Sequence, residues 1–356
     1  MALAPENLEW SLGVPSVKEL IVVEQIETVP PRYIREDVAD YPAPSDKPLP
    51  CVPLIDMAKL VELEHQEVEL QKLHAACRDW GVFQLVNHGV SGELLRDMKK
   101  RTQEFFDLPL QEKKRYEQKP GGLEGYGQHF VISEEQKLEW CDMFFLRTLP
   151  TQVRNLEFWP GQPPSYRDTI DTYSKDMRKV AVSMVGYIAT GLGLDAEEFS
   201  KAYQDGKYQL RLNCYPLCPE PKRVLGVASH TDITGITLLL DCGEMPGLQV
   251  LKDGQWVSVK PVSDAIVVNL GNILEIMSNG IYKAPYHRAV VDRRKERLSI
   301  VTFCYPTSDV EIGPAKELIN KTGNLPLYKT LTHEEYLSRF FNWKLDRVPF
   351  IDTLKI

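Results

Sequence analysis

Disulfide chemistry has little to work with in this chain. Its seven cysteines (Cys51, Cys77, Cys141, Cys214, Cys218, Cys242 and Cys304) are scattered and odd in number, and none stands in a Cys-x-x-Cys pair. Neither a disulfide framework nor a zinc knuckle is expected, and a reducing compartment fits. Dense basic runs are missing too: 42 Lys and Arg face 50 Asp and Glu, for a net charge of -8. Nucleic acids and anionic membranes both select basic patches, so neither is an expected partner. The longest apolar helical stretch, 180–194, is short for a bilayer span and carries three glycines. It reads as a buried core helix. The first residues lack the basic start and apolar core of a secretory leader, which makes the cytoplasm the expected location. No internal repeat and no low-complexity tract is evident.

What the chain does have is ordinary globular composition: 356 residues, 43% hydrophobic and 26% charged. That is ample for a full core. Residues 1–50 are rich in proline and turn formers and read as an arm that packs on the body, with a short helix near 16–20. In 51–205 the pattern is mostly helical: a strand at 51–56, an amphipathic helix at 64–79, and a buried strand after Trp80-Gly81. A helix at 93–106 follows, with Ser91 as N-cap, then an apolar segment at 140–146. A long helix spans 165–192, where Ser165 and Asp168 are spaced like a capping box. From 206 to 310 the character changes to short alternating strands separated by turns such as Asp253-Gly254 and Ser278-Asn279-Gly280. Residues 311–356 return to helix, near 333–341. The fold expected is α+β: a double-stranded β-helix, or jelly roll, flanked by helices, with an N-terminal region of helices and strands.

Chemistry concentrates in 206–310. His230-Thr231-Asp232 is answered by His287 and then by Arg297-Leu298-Ser299. Two imidazoles and one carboxylate on one face of an iron leave three coordination positions open, the facial triad of non-haem Fe(II) oxygenases. Residues two apart on an extended chain point the same way, so His230 and Asp232 can converge, as can Arg297 and Ser299. The face carrying Arg297 and Ser299 continues through Val301, Phe303 and Tyr305. A guanidinium and a hydroxyl among apolar residues need a partner, and Arg binds a carboxylate as a bidentate fork. A third strand, 210–216, puts Arg211, Asn213 and Tyr215 on one face. That face is either a polar cavity wall or one wet surface of an antiparallel sheet. His88 follows a buried strand and reads as a structural hydrogen-bonder.

These motifs in this order resemble the plant 2-oxoglutarate/Fe(II)-dependent dioxygenases, over nearly the whole chain. Asp79-Trp80-Gly81-Val82-Phe83-Gln84-Leu85-Val86-Asn87-His88-Gly89 is similar to the family's N-terminal motif. Asn213-Cys214-Tyr215-Pro216-Leu217-Cys218-Pro219 is similar to its Asn-Tyr-Tyr-Pro-x-Cys-Pro motif, with Cys214 in the middle position. Val14–Leu20, Pro30–Ile34 and Glu135–Trp140 narrow the resemblance to the branch of senescence-related dioxygenases, dioxygenase-type norcoclaurine synthase, and thebaine and codeine O-demethylases. The resemblance implies that His230, Asp232 and His287 hold Fe(II), and that Arg297, Ser299, Tyr215 and Asn213 bind 2-oxoglutarate. O2 is the second cosubstrate. Asp232 separates the chain from related halogenases, which lack that carboxylate.

The implied reaction is hydroxylation or O-demethylation of an aromatic specialised metabolite such as an alkaloid or flavonoid, giving succinate and CO2. Desaturation or ring formation on the same iron is the alternative. Two rivals of other classes are a zinc hydrolase, which would leave Arg297 and Ser299 unexplained and has no His-Glu-x-x-His motif here, and a non-catalytic ligand-binding protein on the same fold. Phe303, Tyr305, Met143, Phe145 and Arg211 are the expected substrate contacts, with Phe144 and Phe130 as further candidates. Each aromatic would serve equally as plain core. A monomer acting on a small aromatic molecule is expected.

Overall fold

The strand that follows Trp80-Gly81 shows how the sheet begins. Gly81 has φ +67°, and a Cβ there would lie 2.2 Å from the carbonyl oxygen of Lys283. Only glycine ends the preceding helix and lets the chain turn so tightly into a buried strand. The structure is a computed structural model and describes residues 12–36, 51–128, 131, 133–343 and 348–356.

Two sheets face each other. In chain order the strands are β1 (Leu54–Asp56), β2 (Val82–Val86), β3 (Gly125–Gly127), β4 (Asp142–Leu149), β5 (Lys207–Tyr215), β6 (Val227–His230), β7 (Ile236–Asp241), β8 (Leu248–Lys252), β9 (Gln255–Ser258), β10 (Ile266–Leu270), β11 (His287–Ala289) and β12 (Arg297–Tyr305). The major sheet has eight strands in the order β1-β2-β10-β7-β12-β5-β4-β3, and the minor sheet has four, β6-β11-β8-β9. The β1–β2 pair is parallel; the other pairs within these sheets are antiparallel. This is the expected jelly roll. Its major sheet takes strands from both 51–205 and 206–310.

Alternation sorts the side chains. Leu210, Leu212 and Cys214 of β5, Ile236, Leu238 and Leu240 of β7, and Leu298, Ile300 and Cys304 of β12 face one way, into the largest core cluster. Helices Leu63–Asp79, Gly92–Asp107 and Tyr166–Gly191 cover that face with Leu73, Phe105, Tyr166, Met177 and Val185. Between the sheets a smaller apolar cluster joins Leu239, Val267 and Val301 to Leu248, Val250 and Val259. The polar residues of β5 and β12 look into this second space.

Most element bounds agree with expectation to within a few residues. The first strand is shorter, Leu54–Asp56, and the apolar segment extends to form β4. Ser91 caps its helix, its hydroxyl accepting from the Glu93 amide at 3.2 Å. Ser165 does not cap. Its φ of 62° is left-handed and its side chain makes no cap bond, because a serine caps from extended backbone that aims the hydroxyl at the next amides. The carbonyl of Ser165 instead accepts from the Thr169 amide at 3.0 Å.

The arm packs where described. Val17, Leu20, Val29 and Tyr33 are buried against Trp140, Cys218 and Val224. A buried carboxylate, Asp142, seats the short helix Val17–Val22. It accepts from Ser16 Oγ at 2.6 Å, the Val17 amide at 2.7 Å and the Lys18 amide at 3.0 Å, with Tyr126 Oη at 3.3 Å. Removing that acceptor strands several buried donors. Asp142→Ala is expected to lower the unfolding free energy by about 3 kcal/mol in equilibrium denaturation. A loss below about 0.5 kcal/mol would show that the arm does not depend on this carboxylate.

Candidate active site

His230 closes β6 and His287 opens β11, and the two are cross-strand partners in the minor sheet. Their ring centroids are 4.2 Å apart. Asp232 lies just past the end of β6, so strand alternation alone does not bring it to His230. The following loop turns it inward, and the Asn272 amide holds its carbonyl at 2.8 Å. Asp232 Oδ1 then sits 3.5 Å from His230 Nε2 and 3.7 Å from His287 Nε2.

Both imidazoles are prepared as ligands. His230 Nδ1 lies 2.8 Å from the Ala228 carbonyl and His287 Nδ1 lies 3.1 Å from that of Pro285. A carbonyl only accepts, so in the neutral ring Nδ1 carries the proton and Nε2 presents its lone pair. One donor atom from each of the three residues lies within 4.8 Å of the others. Asp232 Oδ2 is buried and has no hydrogen-bond partner. A buried carboxylate oxygen with no donor, beside two Nε2 lone pairs, fits a divalent cation. Burial pushes the Asp232 carboxyl up, but the two histidines outweigh it and hold it well below its ordinary range. Burial and then His230 push His287 down to about 4; for His230 burial acts downward, but the bond to Asp232 prevails and raises it. The His230 side chain is 40% exposed against 4% for Asp232, so access is from the His230 side.

Across the major sheet, register assembles rows of facing side chains. One row runs Met143–Asn213–Ser299–Asp241, and the next runs Phe145–Arg211–Val301–Leu239. Arg297 faces Tyr215 at the end of β12. Asn213 Nδ2 donates to Ser299 Oγ at 3.2 Å, and Tyr215 Oη is 3.5 Å from the same oxygen. The Arg297 guanidinium lies 5.1 Å from the Tyr215 ring centre. Arg297, Ser299, Tyr215 and Asn213 thus form one connected patch. Of the two readings of β5, a wet surface is excluded, because Arg211, Asn213 and Tyr215 are all buried.

Two partners were not visible from sequence reasoning. Arg297 pairs with a protein carboxylate, Asp241, the last residue of β7. Arg211 donates through Nε to Asn213 Oδ1 at 2.7 Å, and its Nη2 is 3.6 Å from Glu139 Oε2. The available signal for Asp241 was its parity with Thr237 and Leu239. Nothing local marked Glu139.

The aromatic candidates divide. Met143, Phe145 and Phe303 share the inner face with the polar patch, Phe303 half-buried and touching both core clusters. Tyr305 is buried in the large cluster, with its ring 6.2 Å from that of His333. Phe144 points the other way and stacks on Phe105 at 4.5 Å, as alternation on β4 requires. Phe130 lies outside the described residues. His88 is structural: Nε2 bonds the Asp264 carbonyl and Nδ1 accepts from the Val90 amide.

Comparison with known proteins agrees with this geometry. Residues 52–162 match the family model for the N-terminal region of non-haem dioxygenases in morphine synthesis, and 206–306 match the 2OG-Fe(II) oxygenase superfamily. The chain is 43% identical to oxoglutarate-dependent flavonoid 7-O-demethylase 1 of Ocimum basilicum, covering 97% of this chain and 92% of that one. It is 44% identical to S-norcoclaurine synthase 1 of Coptis japonica, over 97% of both. A crystal structure of JOX2 in complex with 2OG, Fe and JA superposes with a TM-score of 0.85 at 34% identity, covering 98% of this chain and 99% of that one. The chain belongs to the 2OG-Fe(II) oxygenase superfamily and is an oxidoreductase that uses Fe(II), 2-oxoglutarate and O2.

Calorimetric titration with a divalent metal under anaerobic conditions tests the three ligands. His230→Ala is expected to weaken binding by on the order of 100-fold or more. Wild-type affinity should fall as pH drops through the His230 titration, which Asp232 raises above the ordinary imidazole range, because the metal must displace a proton from His230. Unchanged affinity in the variant would remove His230 from the ligand set.

Proposed function

We propose that this enzyme catalyses hydroxylation or O-demethylation of a plant aromatic specialised metabolite, an alkaloid or a flavonoid, as a monomer in the cytoplasm. The observation that carries the proposal is the pair of facing rows on β4, β5 and β12. They set Met143 and Phe145 on the same face as Asn213 and Ser299, and Phe303, two residues past Val301 on β12, shares that face. An aromatic and thioether wall beside the polar patch suits a flat, largely apolar substrate. The likeness to a flavonoid 7-O-demethylase supports the same class.

His230, Asp232 and His287 would hold the metal. When bound, Fe(II) with 2-oxoglutarate supplies the oxidising chemistry, in which O2 is consumed, the oxo acid is decarboxylated to succinate and a substrate C–H bond is oxidised. The chain's own residues arrange the reactants. Arg297 gives the distal carboxylate of 2-oxoglutarate a planar cation, and the Ser299 and Tyr215 hydroxyls lie beside it. Asn213 fixes Ser299, and through its Oδ1 also fixes Arg211. Arg211, Met143, Phe145 and Phe303 would orient the substrate.

Apolar side chains between the sheets, Leu239, Val267 and Val301 among them, keep water from the reacting pair. Hydroxylation of an O-methyl carbon gives a hemiacetal, which collapses to formaldehyde and a phenol without help from the protein. In this reading residues 206–310 carry the metal and cosubstrate, 51–205 contribute the β4 wall, and the described parts of 1–50 and 311–356 pack around them.

A panel of methoxylated alkaloids and flavonoids, scored for substrate-dependent succinate and by product mass, tests the proposal. Loss of one CH2 with formaldehyde release, or gain of one oxygen, is expected, and only with O2 and 2-oxoglutarate present. Loss of two hydrogens would favour desaturation or ring closure. Turnover without O2 would contradict oxygenation altogether.

A further inference from the structure

We propose that Asp241 is a positioning residue that sets how tightly the site holds 2-oxoglutarate, fixing Arg297 and opposing the cosubstrate's distal carboxylate with its own charge. The inference rests on the reading of Arg297 as the carboxylate clamp.

Arg297 donates from Nε at 3.1 Å and from Nη2 at 2.6 Å, and both bonds go to one oxygen, Asp241 Oδ2. Both side chains are buried, 1% and 11% exposed. Asp241 arrives there through register: it faces Ser299 across β7 and β12, on the same sheet face as Arg297 two residues along. The arginine stem has nowhere else to go. A Cβ on Gly247 would stand 2.3 Å from Arg297 Cδ, and the Tyr215 ring lies on another side of the guanidinium.

A guanidinium has five N–H donors in a flat fork. Asp241 takes the edge formed by Nε and Nη2, which leaves the Nη1 edge to grip a second carboxylate. That second carboxylate must share its cation with a buried negative charge already in place. Like charges around one cation oppose each other, and burial limits screening. Asp241 therefore does two things to the clamp. It keeps the guanidinium oriented and satisfied, so that binding need not order it. It also withholds part of the charge that would otherwise go to the cosubstrate, so that affinity is lower than a lone buried arginine would give.

The test compares Asp241→Asn with wild type, both Fe(II)-loaded and anaerobic, by calorimetric titration with 2-oxoglutarate and with 2-oxobutyrate. The amide oxygen of asparagine can still accept from Nε, but the charge is gone. At an effective dielectric constant of about 20, a unit charge across one guanidinium is enough for roughly tenfold tighter binding of 2-oxoglutarate in the variant. Affinity for 2-oxobutyrate, which has no distal carboxylate, should move by less than about twofold. A merely structural role would move both acids alike. Equal or weaker 2-oxoglutarate binding in the variant, or equal tightening for both acids, overturns the proposal.

If Asp241→Asn does not fold by circular dichroism, Asp241→Gln carries the same comparison with the same outcomes. Arg297→Ala separates the two levels of inference. If it leaves 2-oxoglutarate affinity unchanged, the clamp reading itself fails. If it weakens binding while the Asp241 variants change nothing, only the role of Asp241 fails.

Discussion

The antiparallel pairing of Arg297–Tyr305 with Lys207–Tyr215 is the constraint on which the site depends. Nine cross-strand pairs fix it, from Arg297 opposite Tyr215 to Tyr305 opposite Lys207. Side chains on a strand have a period of two, so a slip of one residue in β12 would turn Arg297 and Ser299 into the helical layer, away from Asn213 and Tyr215. The reverse faces of the same strands, Leu298, Ile300, Leu210 and Leu212, are fully engaged in the main core. Burial of those residues therefore holds the polar residues in place. The enzyme's hydrophobic core and the proposed cosubstrate site are two sides of one sheet.

The candidate metal site is built on a different principle. His230 and His287 come from neighbouring strands of the minor sheet, while Asp232 comes from a loop anchored by the Asn272 amide. Each histidine has its Nδ1 against a carbonyl only two residues away in sequence. Local backbone thus chooses the tautomer, and sheet pairing chooses the distance. Neither depends on the aromatic wall.

Much of this was legible in the sequence because the informative residues are adjacent or two apart. Arg297 with Ser299, and Asn213 with Tyr215, announce a shared direction through strand parity; Asp232 is as close to His230 in sequence, but the loop after β6 turns it inward. Asp241 was hidden for a physical reason: its meaning comes from the residue opposite it on another strand, and pairing between distant strands is not written locally. Glu139 precedes β4 and acquires its contacts from distant strands, the Ala228 amide on β6 and Arg211 on β5. Ser165 had the right spacing for a cap but the wrong backbone angle, which sequence spacing cannot supply. Phe144 and Phe145 are neighbours of the same type, yet one stacks on Phe105 and the other faces Arg211, so parity relative to a known inner residue decides between them.

The most direct measurement of the central claim is the visible absorption of the Fe(II)-loaded protein as 2-oxoglutarate is added without O2. A saturable metal-to-ligand charge-transfer band is expected, with its midpoint moved to at least about tenfold higher 2-oxoglutarate in Arg297→Ala. Absence of the band in wild type, or an unchanged midpoint in the variant, would contradict the joint assignment of the His230, Asp232 and His287 centre and the Arg297 clamp.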